Sequence, residues 1–194
     1  MLGSDPVALF RAWLEAAHAA RVGLPDATTL ATASAAGAPS ARMVLLKGVD
    51  DAGGFVFYTN TASRKGRELA ENPRAALVFH WQPLGRQVRV EGDVERVSPA
   101  DSEAYFGTRP LGSRLAAWAS PQSESISSRA QLEERVAALA ARHPDGDVPL
   151  PPFWGGYRLV AHTIEFWQHG EDRLHDRFRF RREPDGWSLA RIAP

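Results

Sequence analysis

The chain has 194 residues, 44% of them hydrophobic, and its 23 Lys plus Arg balance 23 Asp plus Glu. That is enough apolar material for a sizeable core and argues against disorder, while the charge balance argues against a general nucleic-acid or anionic-membrane binder. The absence of cysteine excludes disulfides, thiolate catalysis and cysteine metal sites, and the N-terminus has no apolar run of signal-peptide or membrane-spanning length. One cytoplasmic domain, 1–194, is the expectation.

Asp5-Pro6 reads as an N-cap followed by proline at the first helical position. Val7, Phe10, Leu14 and Ala17 then recur at helical spacing, so a helix over about 5–21 packs one face inward. Short strands follow at Thr28–Ala33, Ala41–Val49, Phe55–Asn60, Ala75–Trp81 and Gln87–Val97, rich in β-branched and aromatic residues. Tight turns join most of them, which argues for an antiparallel sheet and against βαβ units. GxGxxG and GxxxxGK[ST] motifs are missing, so a Rossmann or P-loop site is not expected. The fold class is mainly β with packed helices (α+β), a small antiparallel barrel with helices outside.

Three pieces within this region could grip a phosphate. In Arg42-Met43-Val44-Leu45-Leu46-Lys47 two cations bracket apolar residues. Strict alternation puts those cations on opposite faces, which means either a bulge or two neighbouring ligand sites. Tyr58-Thr59-Asn60 leads to Ser63-Arg64-Lys65 at the start of a helix reaching Glu71. Cations in a first helical turn oppose the macrodipole, so a nearby anion would explain them. A third helix starts at Ser98-Pro99-Ala100-Asp101, and Tyr105, Arg109 and Ser113 follow at intervals of four, with Pro110 able to break the helix between the last two. An arginine beside two hydroxyls suits a phosphate. Taken alone, the first piece reads more readily as an exposed edge and the third as a helix whose polar side faces water, while the second is the best physical hint of phosphate binding in the chain.

Ser127/Ser128 cap a further helix with Leu132, Val136 and Leu139 inward, and a Pro/Gly-rich connector runs from Pro144 to Gly156. A strand–turn–strand unit spans Ile164–Phe180, with its turn at His169-Gly170-Glu171-Asp172. Alternation sets Arg173, His175, Arg177 and Arg179 on one face, against Leu174, Asp176, Phe178 and Phe180. The first face is a cationic row suited to an anionic or electron-rich ligand. The last strand, Trp187–Ile192, follows a Pro-Asp-Gly turn. Six histidines show no metal spacing, so no metal is expected, and GxSxG is missing.

IEFWQ, a four-residue spacer and RLHDR together resemble the C-terminal signature of the pyridoxine/pyridoxamine 5'-phosphate oxidases, FMN enzymes that make pyridoxal 5'-phosphate. The Arg42–Lys47 stretch resembles that family's RxVLLK, and Tyr58–Lys65 its YTNxxSRK. The resemblance runs from about Asp5 to Pro194 and implies an FMN-binding split barrel, with the C-terminal strands from about 157 completing the site. It implies cofactor contacts by Arg42, Met43, Val44, Leu45, Leu46, Lys47, Tyr58, Thr59, Arg64, Lys65, Gln87, Gln122, Ser123, Trp167 and Arg177. Lys47, Tyr105, Arg109 and Ser113 would clamp the substrate phosphate. Arg173 and His175 would hold the substrate ring and act at its C4' substituent. A homodimer with FMN between subunits is implied, oxidising phosphorylated B6 vitamers with O2 and releasing H2O2, and ammonia from the amine. Family members carry a basic arm before the first helix; only Met1–Ser4 precede it here, so contacts by such an arm are expected to be missing. The rivals are a phenazine-type FMN oxidase, which needs no phosphate clamp, and a non-catalytic flavin or pyridoxal-phosphate binder.

Overall fold

The computed structural model describes residues 5–194; the arm preceding the first helix lies outside them. Helix α1 (Pro6–Ala19) starts where the Asp5 carboxylate accepts from the Val7 and Ala8 amides. Its buried face carries Phe10 into a cluster with Phe55, Phe79 and Trp81, ring centroids 4.9–6.0 Å apart. Edge-to-face packing of that kind adds to the burial of the rings themselves.

The strands are β1 (Ala27–Ala33), β2 (Pro39–Leu45), β3 (Gly48–Val49), β4 (Gly54–Asn60), β5 (Arg74–Trp81), β6 (Arg86–Arg96), β7 (Trp154–Gln168), β8 (Asp176–Glu183) and β9 (Gly186–Arg191). All pairings are antiparallel, in the order β2-β1-β5-β6-β7-β4-β3, with β8 added to β7 and β9 to β8. Alternation is visible in β1, where Thr28, Leu30 and Thr32 are buried and their neighbours are not.

The expected single strand Ala41–Val49 is two strands. At its break, the Leu46 amide donates to Asp26 O while the Lys47 amide donates to Val56 O. The chain thus leaves the β1 side and joins β4, which closes the barrel. Leu46 turns into the core (5% exposed) at this switch, and the parity conflict between Arg42 and Lys47 is resolved there. A second irregularity is the register shift at Glu91/Gly92 in β6. A Cβ on Gly92 would sit 1.9 Å from Val160 O, so only glycine lets the two strands pass.

Helices α2 (Arg64–Glu71), α3 (Pro99–Gly107), α4 (Leu111–Ala119) and α5 (Arg129–Arg142) pack outside the barrel. Pro110 separates α3 from α4, as its missing amide and ring demand. Ser128 caps α5, whose inner residues Leu132, Val136 and Leu139 are only half-buried. The connector expected to run to Gly156 ends earlier, because Trp154-Gly155-Gly156 already pair with β4. Among the described residues, no helix is long and apolar enough to cross a membrane.

Candidate functional site

A cavity of about 710 Å³ opens between β2, β4, α3 and α4. Its walls include Met43, Val44, Leu45, Lys47, Tyr58, Thr59, Lys65, Tyr105, Arg109, Ser113 and Gln122, brought together from three separate stretches of sequence. Among the described lining residues are three cations and no carboxylate. Such a wall favours an anion.

Lys65 is the centre of a first cationic seat in this cavity. Its ammonium donates to Thr59 Oγ1 at 3.1 Å, Ser63 Oγ at 3.3 Å and Gln122 Oε1 at 2.8 Å, all neutral. The residue is 7% exposed, and burial, with the nearby Arg42 charge, lowers its pKa to about 8. The first turn of α2 holds no acidic residue, and Ser63 caps its N-terminus. A buried ammonium beside free helix amides is a site short of one negative charge.

Arg109 forms the second seat. It lies between α3 and α4, half-buried, with its guanidinium 4.9 Å from the Trp154 ring centre. Its Nη1 is buried without an acceptor among the described residues. Burial holds its pKa below the ordinary value, opposed by Tyr105. Tyr58 and Tyr105 stack at 4.1 Å beside Trp154, and Lys47 reaches to 5.9 Å from the Tyr105 ring centre. Trp154 was missed in the sequence; the FW pair in the connector was its one signal.

Arg42, Leu46 and Arg64 do not line the cavity. Arg42 and Arg64 bind Glu68 at 3.1 and 2.8 Å, and Ser40 and Thr32 donate to the same buried carboxylate. Burial alone would raise the Glu68 pKa; those four bonds outweigh it and bring it to about 2. Glu68 thus ties α2 to β1 and β2. Its only sequence signal was the i,i+4 spacing from Arg64. Ser123 is exposed with φ 76°, next to Gln122.

The other expected residues form a second cluster. Register places Gln87 beside Trp167 and Trp167 beside Arg177, a row across β6, β7 and β8. Arg177 donates to Glu165 Oε1 at 3.0 and 2.8 Å and to Ala193 O at 2.9 Å. The His175 ring lies 4.6 Å from the Trp167 ring. Arg173 corrects the expected strand face: β8 begins only at Asp176, and Arg173 ends a short 3₁₀ turn, Glu171–Arg173, with φ 65°. Phe178 and Phe180 do face the core, and Asp176 meets Arg191. Thr59 pairs with Gly155, twelve residues before Trp167 on β7. At about 3.3 Å per residue the two clusters stand roughly 40 Å apart along that strand.

The fold with its cationic cavity defines the class, an FMN-binding split barrel. A family model described as "Pyridoxamine 5'-phosphate oxidase" matches residues 14–143, and one described as "Pyridoxine 5'-phosphate oxidase C-terminal dimerisation region" matches 154–194. The chain is 56% identical over 190 residues to the pyridoxine/pyridoxamine 5'-phosphate oxidase of Thermosynechococcus vestitus, covering 98% of this chain and 89% of the relative. The Cupriavidus necator protein of the same name is 54% identical over 191 residues, at the same coverage. A crystal structure of PhzG from Burkholderia lata 383, in complex with tetrahydrophenazine-1-carboxylic acid, superposes with TM-score 0.93 at 34% identity, over 99% of this chain and 94% of that one. An FMN-binding protein of Nostoc punctiforme, 20% identical with full coverage of both chains, has the same fold at TM-score 0.78. The chain belongs to the pyridoxine/pyridoxamine 5'-phosphate oxidase family and is an oxidoreductase.

Proposed function

We propose that the protein oxidises pyridoxine and pyridoxamine 5'-phosphates to pyridoxal 5'-phosphate, with FMN as cofactor and O2 as final acceptor. The observation that carries this reading is the cavity holding Lys47, Lys65 and Arg109 without a carboxylate among its described walls. Two phosphates, one on the cofactor and one on the substrate, match its two seats. Lys65 and the start of α2 hold the cofactor phosphate. Lys47 and Arg109 neutralise the substrate phosphate, and Tyr105 and Ser113 donate hydroxyl hydrogen bonds to it.

Bound FMN would supply a two-electron acceptor for the C4' hydride, with O2 as final acceptor giving H2O2 and water releasing ammonia from the oxidised amine. Arg173 and His175 hold the ring and its C4' substituent. The two clusters meet when two chains pair so that the C-terminal end of β7 on one faces the cavity of its partner. The C-terminal match to a dimerisation region supports that assembly. Each homodimer then has two sites, each built from both chains.

The similarity to PhzG favours a phenazine-type substrate as the second reading. Anaerobic mixing of the FMN-loaded protein with pyridoxamine 5'-phosphate and with pyridoxamine separates the two. Flavin reduction by the phosphate ester alone is expected. Equal rates with both would remove the phosphate clamp, and no reduction by either would leave a binding protein.

The depressed Lys65 pKa gives FMN binding a pH signature. Affinity for FMN is expected to hold steady below about 8 and to fall above it, as the site loses the proton that meets the phosphate. Riboflavin, lacking a phosphate, should show no such fall in a fluorescence titration. In FMN-free protein the sign reverses for stability. The folded state sheds a buried charge before the unfolded chain does, so Lys65 makes stability rise with pH between about 8 and 10.5.

A further inference from the structure

The turn joining β7 to β8 orients the ring of its histidine through a backbone hydrogen bond. The Gly170 amide donates to His175 Nδ1 at 3.2 Å. A nitrogen that accepts an N–H bond carries no proton, so the neutral ring carries its hydrogen on Nε2. Among the described residues Nε2 has no hydrogen-bond partner, leaving that N–H for a ligand. The same glycine has a steric role. A Cβ at position 170 would lie 2.2 Å from Leu174 O and 3.4 Å from His175 Cα. Only a residue without a side chain lets the chain fold back on Leu174, and that fold carries Asp172 and Arg173 through consecutive positive φ values of 50° and 65°.

We propose that Gly170 is a positioning residue: its amide fixes His175 as the Nε2–H tautomer, and its bare Cα lets the turn close, so His175 meets substrate as a hydrogen-bond donor and not as a base. This rests on the reading above that His175 touches the substrate. A base at Nε2 would need its lone pair there, which this tautomer does not offer. The hydride leaves C4' for the cofactor, and the proton of the C4' hydroxyl or amine passes to solvent water and not to the imidazole.

The test uses FMN-loaded protein with ¹⁵N-labelled histidine and two-bond ¹H–¹⁵N correlation at a pH of about 8.5, where ordinary imidazoles are neutral. The His175 signals, assigned with His175→Gln, are expected to show a bare Nδ1 and a protonated Nε2. Gly170→Ala is expected to mix the tautomers and lower kcat/KM about tenfold, the scale of one lost hydrogen bond. His175→Gln, whose amide NH2 sits near the Nε2 position, should retain more activity than His175→Asn, whose shorter amide reaches only the Nδ1 position. A proton on Nδ1 in the unmutated protein overturns the proposal by itself, whether or not Gly170→Ala folds. Unmutated turnover in both His175 variants, with the tautomer as expected, overturns the substrate contact instead.

Discussion

Arg173→Ala is expected to leave the protein yellow while slowing flavin reduction by pyridoxamine 5'-phosphate about a hundredfold or more, the loss typical of removing a preorganised charged donor from a reacting centre. Arg173 stands outside β8, exposed, and among the described residues it has no carboxylate partner. Its backbone occupies the left-handed region, which costs a residue with a side chain roughly 1–2 kcal/mol. The Gly170 turn fixes the Arg173 backbone in that conformation. Arg173→Lys should restore only part of the rate, since a point charge does not reproduce a planar fork of donors.

Arg177→Ala should behave differently. Its guanidinium is committed to Glu165 and Ala193 O, and its loss would leave the 6%-exposed Glu165 with only the looser Arg89 contact at 3.6 Å. Lower FMN occupancy and stability are the expected result, with less effect on the chemical step. Stopped-flow reduction without oxygen, on each variant reloaded with FMN, separates the two. An Arg173→Ala protein that reduces its flavin at the unmutated rate would show that this arginine is a solvated side chain.

The error at Arg173 has an instructive cause. From Asp176 onward, alternation correctly sends Phe178 and Phe180 inward, because apolar residues of period two have one place to go. The pattern Arg-Leu-His-Asp upstream alternates just as well, yet it bends. What bends it is the contact between Gly170 and Leu174 across the turn, which hydropathy does not encode. The expected strand Ala41–Val49 fails in the same way: it breaks because Leu46 bonds Asp26, just before β1, while Lys47 bonds Val56 within β4. By contrast Lys65 was legible, since a cation in a first helical turn is locally odd. Glu68 was not, because a buried carboxylate looks like any helix-face Glu until Thr32, Ser40 and Arg42 arrive from 26 to 36 residues away.

The separation of the two clusters along β7 was equally invisible, and it sets up a test of the whole site. Arg109→Ala and Arg173→Ala homodimers should each be nearly inactive, the first through substrate phosphate and the second through the ring. Co-expression with two different affinity tags and tandem purification yields only mixed dimers. If each site joins the cavity of one chain to the C-terminal cluster of its partner, one of the two sites inherits both lesions and the other neither. The mixed dimer is then expected to recover about half the unmutated activity. Placing both substitutions on one chain, opposite an unmutated partner, distributes one lesion to each site and should give almost no activity. Sites built within a single chain predict the reverse pattern: a dead mixed dimer, and half activity for the double mutant with an unmutated partner. The roughly 40 Å of strand along β7 between Gly155 and Trp167 favours the first pattern, because the two clusters lie towards opposite ends of that strand.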